Sequence, residues 1–248
     1  LVWFDEFDAD GRPDPAKWTY ERGFVRNEEL QWYRPDNARC TGGVLVIEGR
    51  KERIPNPRYQ QGSRQWQRNR EYAEYTSSSL LTRGIADWQY GRFEMRGRID
   101  VRQGLWPAWW TLGHGDWPAC GEIDIMEYYR GMLLANFAWA GERRRGTPTW
   151  DDSRLPLEEL GGEAWARDFH EWRMDWDEQR IVLSVDGRVL NEVDLDSTVN
   201  AGDERENPLR APHYMILNLA IGGLNGGELG ETEFPAKFEV DYVRVYQK

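Results

Sequence analysis

Cysteine and histidine are scarce in this chain of 248 residues. The two cysteines, Cys40 and Cys120, form no CxxC pair and no Cys/His cluster, which argues against a zinc site. They leave open either one disulfide or two buried thiols. The three histidines, His114, His170 and His213, are far apart, and none has a Ser or Cys partner at recognisable spacing. His170 and His213 fall in strand-like segments and are expected to be structural, whereas His114 lies in a turn where it could touch a ligand. Long apolar runs are missing, so no membrane span is expected. Positive charge is in deficit: 32 Lys and Arg against 43 Asp and Glu leave a formal charge of −11. That excludes the basic field that nucleic-acid binding needs. The chain begins at Leu1 with no visible leader, which reads as a processed or trimmed protein.

Tryptophan, by contrast, is abundant, with 14 residues. So many indoles do not all fit in a core, because Trp is seldom fully buried. An exposed aromatic groove is the natural expectation, since sugars present flat apolar C–H faces that stack on indole rings.

Helical periodicity is scarce, with one short helical turn expected within 156–169. Period-two segments dominate instead, at 43–51, 90–101, 169–177, 180–195, 213–223 and 237–247. They are rich in β-branched and aromatic residues and bounded by Gly, Pro, Asn and Asp. Asp186-Gly187 between two such runs signals a hairpin. With no internal repeat and no linker, the pattern predicts a single all-β domain over 1–248, a sandwich or jelly roll. The first and last strands are expected to pair, and 54–74 reads as a long loop.

One strand-like stretch carries unusual chemistry. "GEIDIME", Gly121 to Glu127, sets Glu122, Asp124 and Glu127 among Ile and Met. Glu122 and Asp124 share a strand face. A regular strand would turn Glu127 away, so one extra residue, a β-bulge, is needed to return it. Ile123 and Ile125 would then face the core. Like charges crowded on one face cost stability, which makes a merely solvated face a poor explanation. The linear spacing also makes a poor cage for Ca²⁺. Two carboxylates with a third between them suit glycoside hydrolysis. A retaining mechanism needs an ionised nucleophile and a protonated acid about 5–5.5 Å apart, and a middle Asp can help divide those roles.

"GEIDIMEYY" resembles the E-x-D-x-x-E signature of glycoside hydrolase family 16, in its bulged, laminarinase-like form. "NEELQWYRPDNARCTGGVLVIEGRKE", "YGRFEMRGRIDVRQGLWPAWWTLG" and "FEVDYVRVYQ" extend the resemblance in colinear order over essentially the whole chain. The resemblance implies a β-jelly-roll of two antiparallel sheets with a concave substrate cleft, and a retaining endo-mechanism. It implies Glu122 as nucleophile, Asp124 as assisting acid and Glu127 as general acid/base. It places Trp106, Trp110 and Trp117 along the cleft as sugar-stacking residues, with Trp109 pointing into the core. Asn27 and Glu28 match a loop that reaches the donor-side sugar, and Arg83 falls near a position that often carries a cleft Arg.

The chain departs from the laminarinase pattern after the catalytic strand. Where a cleft His is common, "LLANFAWAG" places Ala138, with Asn136 and Trp139 beside it as expected substrate contacts. Asn225, in a Gly-rich stretch, is a further candidate contact. Arg143 to Arg145 read as a solvated rim loop or as contacts to an anionic glycan. The resemblance also implies a structural Ca²⁺ held by Glu6, the Gly43 carbonyl and Asp241, but no cofactor for catalysis.

The function these residues imply is hydrolysis of a polysaccharide, foremost a β-1,3-glucan or mixed-linkage β-glucan. The alternatives are a β-galactan, a sulfated galactan or a mucin-type O-glycan, or a non-catalytic lectin-like module, against which the intact triplet speaks. The partner is a polysaccharide or oligosaccharide, the expected state a monomer, and the expected location extracellular, periplasmic or at the cell surface.

Overall fold

The computed structural model describes residues 1–141, 147–202 and 206–248. Two sheets face one another as a β-jelly-roll. Among the described residues the cleft-bearing sheet has seven strands. Their spatial order is Thr149–Pro156, Met132–Trp139, Glu122–Tyr129, Leu105–Gly113, His213–Ile221, Ser79–Leu81 and Thr19–Tyr20. The supporting sheet is centred on Gly91–Arg98, which lies between His170–Trp176 and Ala236–Tyr246. Trp3–Asp5 pairs antiparallel with Ala236–Tyr246, so the first and last strands meet as expected. The pairing of Gln31–Tyr33 with Tyr72–Ser77 is parallel, an exception within an otherwise antiparallel frame.

Alternation along the strands builds the core. Phe93 and Met95, Trp172 and Met174, and Phe238 and Val240 face inward from the supporting sheet. Trp109, Ile123, Ile125, Met126, Ala135 and Phe137 meet them from the cleft sheet. The turns follow backbone chemistry. Asp186 and Gly187 both have positive φ, 49° and 79°, as a two-residue hairpin turn requires. Val185 and Arg188 close that hairpin in register.

The expected loop over 54–74 is shorter than the sequence suggested. The strand Val44–Pro55 runs into it, and the strand Tyr72–Ser77 begins within it. Polar side chains on the exposed half of Val44–Pro55 hid its strand character. Between the two strands, the turn Trp66–Asn69 packs Trp66 against Phe24, with ring centroids 5.8 Å apart. Within 156–169 the helical turn is present as two short pieces, Leu157–Leu160 and Gly162–Ala166.

Cys40 and Cys120 are both buried free thiols. The implied Ca²⁺ donors do not fit a cation as they are folded. Glu6 takes both guanidinium donors of Arg244 at 2.7 Å, and Asp241 accepts from Arg96. Among the described residues, no group of three or more acidic, His or Cys side chains is arranged to hold a metal ion. A cation there would have to displace arginines that already neutralise both carboxylates. Among the described residues no helix is long and apolar enough to cross a membrane.

Candidate active site

The bulge is present where the acid spacing demands it. On one side, Asp124 pairs with Trp110, Met126 with Trp109 and Glu127 with Ala108. On the other, Asp124 pairs with Asn136 and Glu127 with Leu134, so Ile125 and Met126 together oppose Ala135. The extra residue sends both Ile125 and Met126 into the core and brings Glu127 back beside Asp124. Asn136 ties the two acids together, donating to Asp124 Oδ2 at 3.4 Å and Glu127 Oε2 at 3.3 Å.

The loop before this strand closes over Glu122. Gly113 makes that possible, because a Cβ there would fall 2.0 Å from the Cys120 carbonyl oxygen. The close approach folds the loop back until the Trp117 indole N–H donates to Glu122 Oε2. Trp106 does the same for Glu127, donating to Oε1 at 2.8 Å.

Burial pushes all three carboxyl pKa values up, but their partners differ. Glu127 rises to about 7, through desolvation first and the Glu122 charge second, against the pull of its hydrogen bonds to Trp106, Asp124 and Asn136. Asp124 lies well above the usual carboxylate range, through desolvation and then the charges of Glu127 and Glu122. Its Oδ1 has no donor among the described residues. Interaction with Glu122 also raises Asp124, and the same interaction lowers Glu122. Glu122 is raised by desolvation, but hydrogen bonds from Asp124 and Trp117 and the charge of Arg26 act to keep it ionised. The strand thus holds three desolvated carboxyls on one face, with Glu127 raised to about 7, where it can carry a proton near neutral pH. A proton donor beside a second carboxyl is what a double-displacement glycosidase needs.

The expected aromatic cleft is only partly as the sequence suggested. Trp109 is fully buried in the core, as anticipated. Trp106 and Trp110 lie on the cleft face but are only 6% and 8% exposed, which leaves little ring for a sugar to stack on. Trp110 donates to Asn218 Oδ1 at 2.7 Å, and the Arg26 guanidinium covers it, 5.0 Å from the ring centroid. Trp117 is 48% exposed and remains available. Trp139 does not reach the cleft. It alternates with Ala138 and packs into the core with Ala135 and Phe137, because the register that turns Asn136 toward the acids turns Trp139 away.

The remaining candidates are spread around the rim. Arg83 is exposed and lies over Tyr214, 5.4 Å from its ring centroid. Asn27 and Glu28 both adopt positive φ, 53° and 52°. Their loop is braced by Arg70, which donates to the Glu28 and Glu29 carbonyls. Asn225 is half-buried in the turn Gly223–Gly226, which docks on that loop through Leu224 N–H to the Asn27 carbonyl at 2.8 Å. His114 pairs with Asp87 at 2.8 Å. His213 is buried between Thr111 and the Pro208 carbonyl and is pushed down to about 4 by desolvation. His170 stacks on Trp165 and bonds Asp186, so both strand histidines are structural as expected. Arg143 to Arg145 lie outside the described residues.

Sequence reasoning missed a polar cluster beside Trp110. Arg26 pairs with Glu21, whose other oxygen accepts from Ser79 Oγ at 2.7 Å. Glu29, buried and raised to about 7 by desolvation, accepts from Gln31 at 2.6 Å. Asn218 joins Trp110 to the Tyr33 hydroxyl, to which it donates at 3.1 Å. One signal was available. Asn218 interrupts the apolar strand "MILNLAI" as the acids interrupt "GEIDIME". The rest come together only through the fold.

Residues 57–244 match the model of glycosyl hydrolases family 16. A β-glucanase from Rhodothermus marinus is 38% identical over the whole chain and 85% of its own length. Among solved structures, one reported with endo-acting O-glycanases of the human gut microbiota that initiate mucin breakdown is 35% identical. It superposes with a TM-score of 0.88 over 99% of this chain and 90% of its own. SCLam, a non-specific endo-β-1,3(4)-glucanase, is 38% identical with a TM-score of 0.80, over 100% of this chain and 91% of its own. With the bulged acid triplet on the concave sheet and relatives that align from end to end, this chain is a glycoside hydrolase and belongs to family 16.

Proposed function

We propose that the protein is a retaining endo-β-glucanase acting on β-1,3-linked or mixed-linkage glucan. The observation that carries this reading is the bulged strand, which sets Glu122 and Glu127 on one face, with Glu127 raised to about 7. Glu127 donates its proton to the glycosidic oxygen while Glu122 attacks the anomeric carbon, breaking the bond to the leaving sugar and forming a glycosyl ester. Glu127, now a carboxylate, takes a proton from water, which attacks the same carbon and releases Glu122. Asp124 remains protonated and steadies the Glu122 carboxylate before attack. Trp117 and Trp106 orient the two reacting carboxyls through their indole N–H groups. Asn27, Glu28, Arg83 and Asn225 are proposed rim contacts to the glycan, which the chain engages as a monomer. A polymeric substrate implies that the reaction takes place outside the cytoplasm.

β-Glucan is favoured because β-glucanases recur among the relatives that align along the chain. A second reading, a mucin-type glycan, has one observation behind it: the larger TM-score with the O-glycanase structure. Digestion of laminarin, mixed-linkage glucan, agarose, carrageenan and mucin glycans separates the two. The roles are tested by chemical rescue. With azide and an activated β-glycoside, Glu122→Ala should form the α-glycosyl azide and Glu127→Ala the β-glycosyl azide. The opposite pattern would reverse the assignment.

A further inference from the structure

The exposed aromatic surface beside the acids includes neither Trp106 nor Trp110. Those two indoles are nearly buried, and Arg26 covers Trp110. The exposed indoles beside the acids are Trp117 and Trp150, 48% and 43% exposed. Their ring centroids are 6.3 Å apart, with the planes inclined by 49°. Trp150 pairs in register with Ala138, and Ala138 with Glu122. The three positions form one row across the sheet, running outward from Glu122. Ala138, the small residue between them in that row, is fully buried, while both indoles are exposed. Trp117 links this aromatic pair to the reaction centre, since its N–H donates to Glu122.

We infer that Trp117 and Trp150 form an aromatic subsite for the leaving-group side of the substrate, with Trp150 as its outer platform. The inference rests on the proposed retaining mechanism and extends it to a residue that no part of the catalytic triplet identifies. The ligand class is a pyranose with a continuous apolar C–H face. Such a ring stacks on Trp150 as a sugar of the departing chain. After the first half-reaction it is also the site at which an incoming sugar can replace water as acceptor.

The test compares wild type, Trp150→Ala and Trp150→Phe on two donors. Laminarin fills both sides of the cleft, whereas β-laminaribiosyl fluoride has a leaving group that fills no acceptor subsite. Losing about 55 Å² of apolar contact corresponds to about a tenfold effect. Trp150→Ala should lower kcat/KM on laminarin by about that factor. It should leave fluoride hydrolysis within about twofold and suppress transfer to added laminaribiose. Trp150→Phe should retain most of the transfer. Equal losses on both donors would overturn the inference, since Trp150 would then act by supporting Trp117 and Glu122. An unchanged laminarin rate would overturn it as well. A wild type inert on laminarin refutes the β-glucan reading alone. The same variant comparison is then made on a mucin-derived poly-N-acetyllactosamine glycan, where normal cleavage by Trp150→Ala would overturn the subsite.

Discussion

Replacing Trp106 by Phe removes the N–H that Glu127 accepts at 2.8 Å and keeps most of the ring. A hydrogen bond to a charged acceptor contributes about 1.5–3 kcal/mol, and one pKa unit corresponds to about 1.4 kcal/mol. Part of that bond also serves the protonated acid, so the net effect on Glu127 is a rise of about one unit. The sign follows from the chemistry. Glu127 must hold a proton to act as acid, so activity falls as pH rises through its value of about 7. Without the indole N–H the anion is less favoured, and the alkaline limb of the kcat/KM profile on laminarin should move upward by about one unit. The limb is read from a normalised profile, so a general loss of stability or of active protein does not mimic it. A limb that stays in place, or moves toward acid, would refute the reasoning that Trp106 tunes the acid.

The buried acids should also be visible in stability. Glu127 has a folded pKa of about 7 against an ordinary value of 4.5. Its contribution to stability is therefore complete below the unfolded value and is lost as pH rises toward 7. Glu127→Gln should raise unfolding stability in mildly alkaline buffer by on the order of 1–3 kcal/mol, with little change in acid, read as Tm. Because Cys40 and Cys120 are buried and free, a thiol reagent should titrate two groups only after unfolding, and reductant should leave Tm unchanged. Because Glu6 and Asp241 are paired with arginines, neither Ca²⁺ nor a chelator should shift Tm. A clear stabilisation by Ca²⁺ would count against that reading.

The catalytic strand was legible because its signal is local. A period of two carries Glu122 and Asp124 to one face, and the three-residue step to Glu127 requires a bulge for the third acid to join them. The hairpin at Asp186-Gly187 was legible for the same kind of reason, since both residues tolerate positive φ. Trp139 lies three residues after Asn136, so strand alternation turns it to the opposite face, and pairing with Asp124 sets Asn136 on the side of the acids. The exposure of Trp110 was likewise decided from outside its own segment, by Arg26 and Asn218, which are remote in sequence, and Trp106 is held by Glu127 and Tyr129.

The sequence by itself determined an all-β chain, the acid triplet and its bulge, and hence the class of reaction, because strand periodicity and turn chemistry act over a few residues. Only the tertiary structure shows how far the acids are desolvated and which groups reach them, since the N–H groups of Trp117 and Trp106 come from outside the acid strand. It also decided where an indole face is left open for sugar. Burial is a property of the whole packing, and no local pattern distinguishes the covered Trp110 from the exposed Trp150.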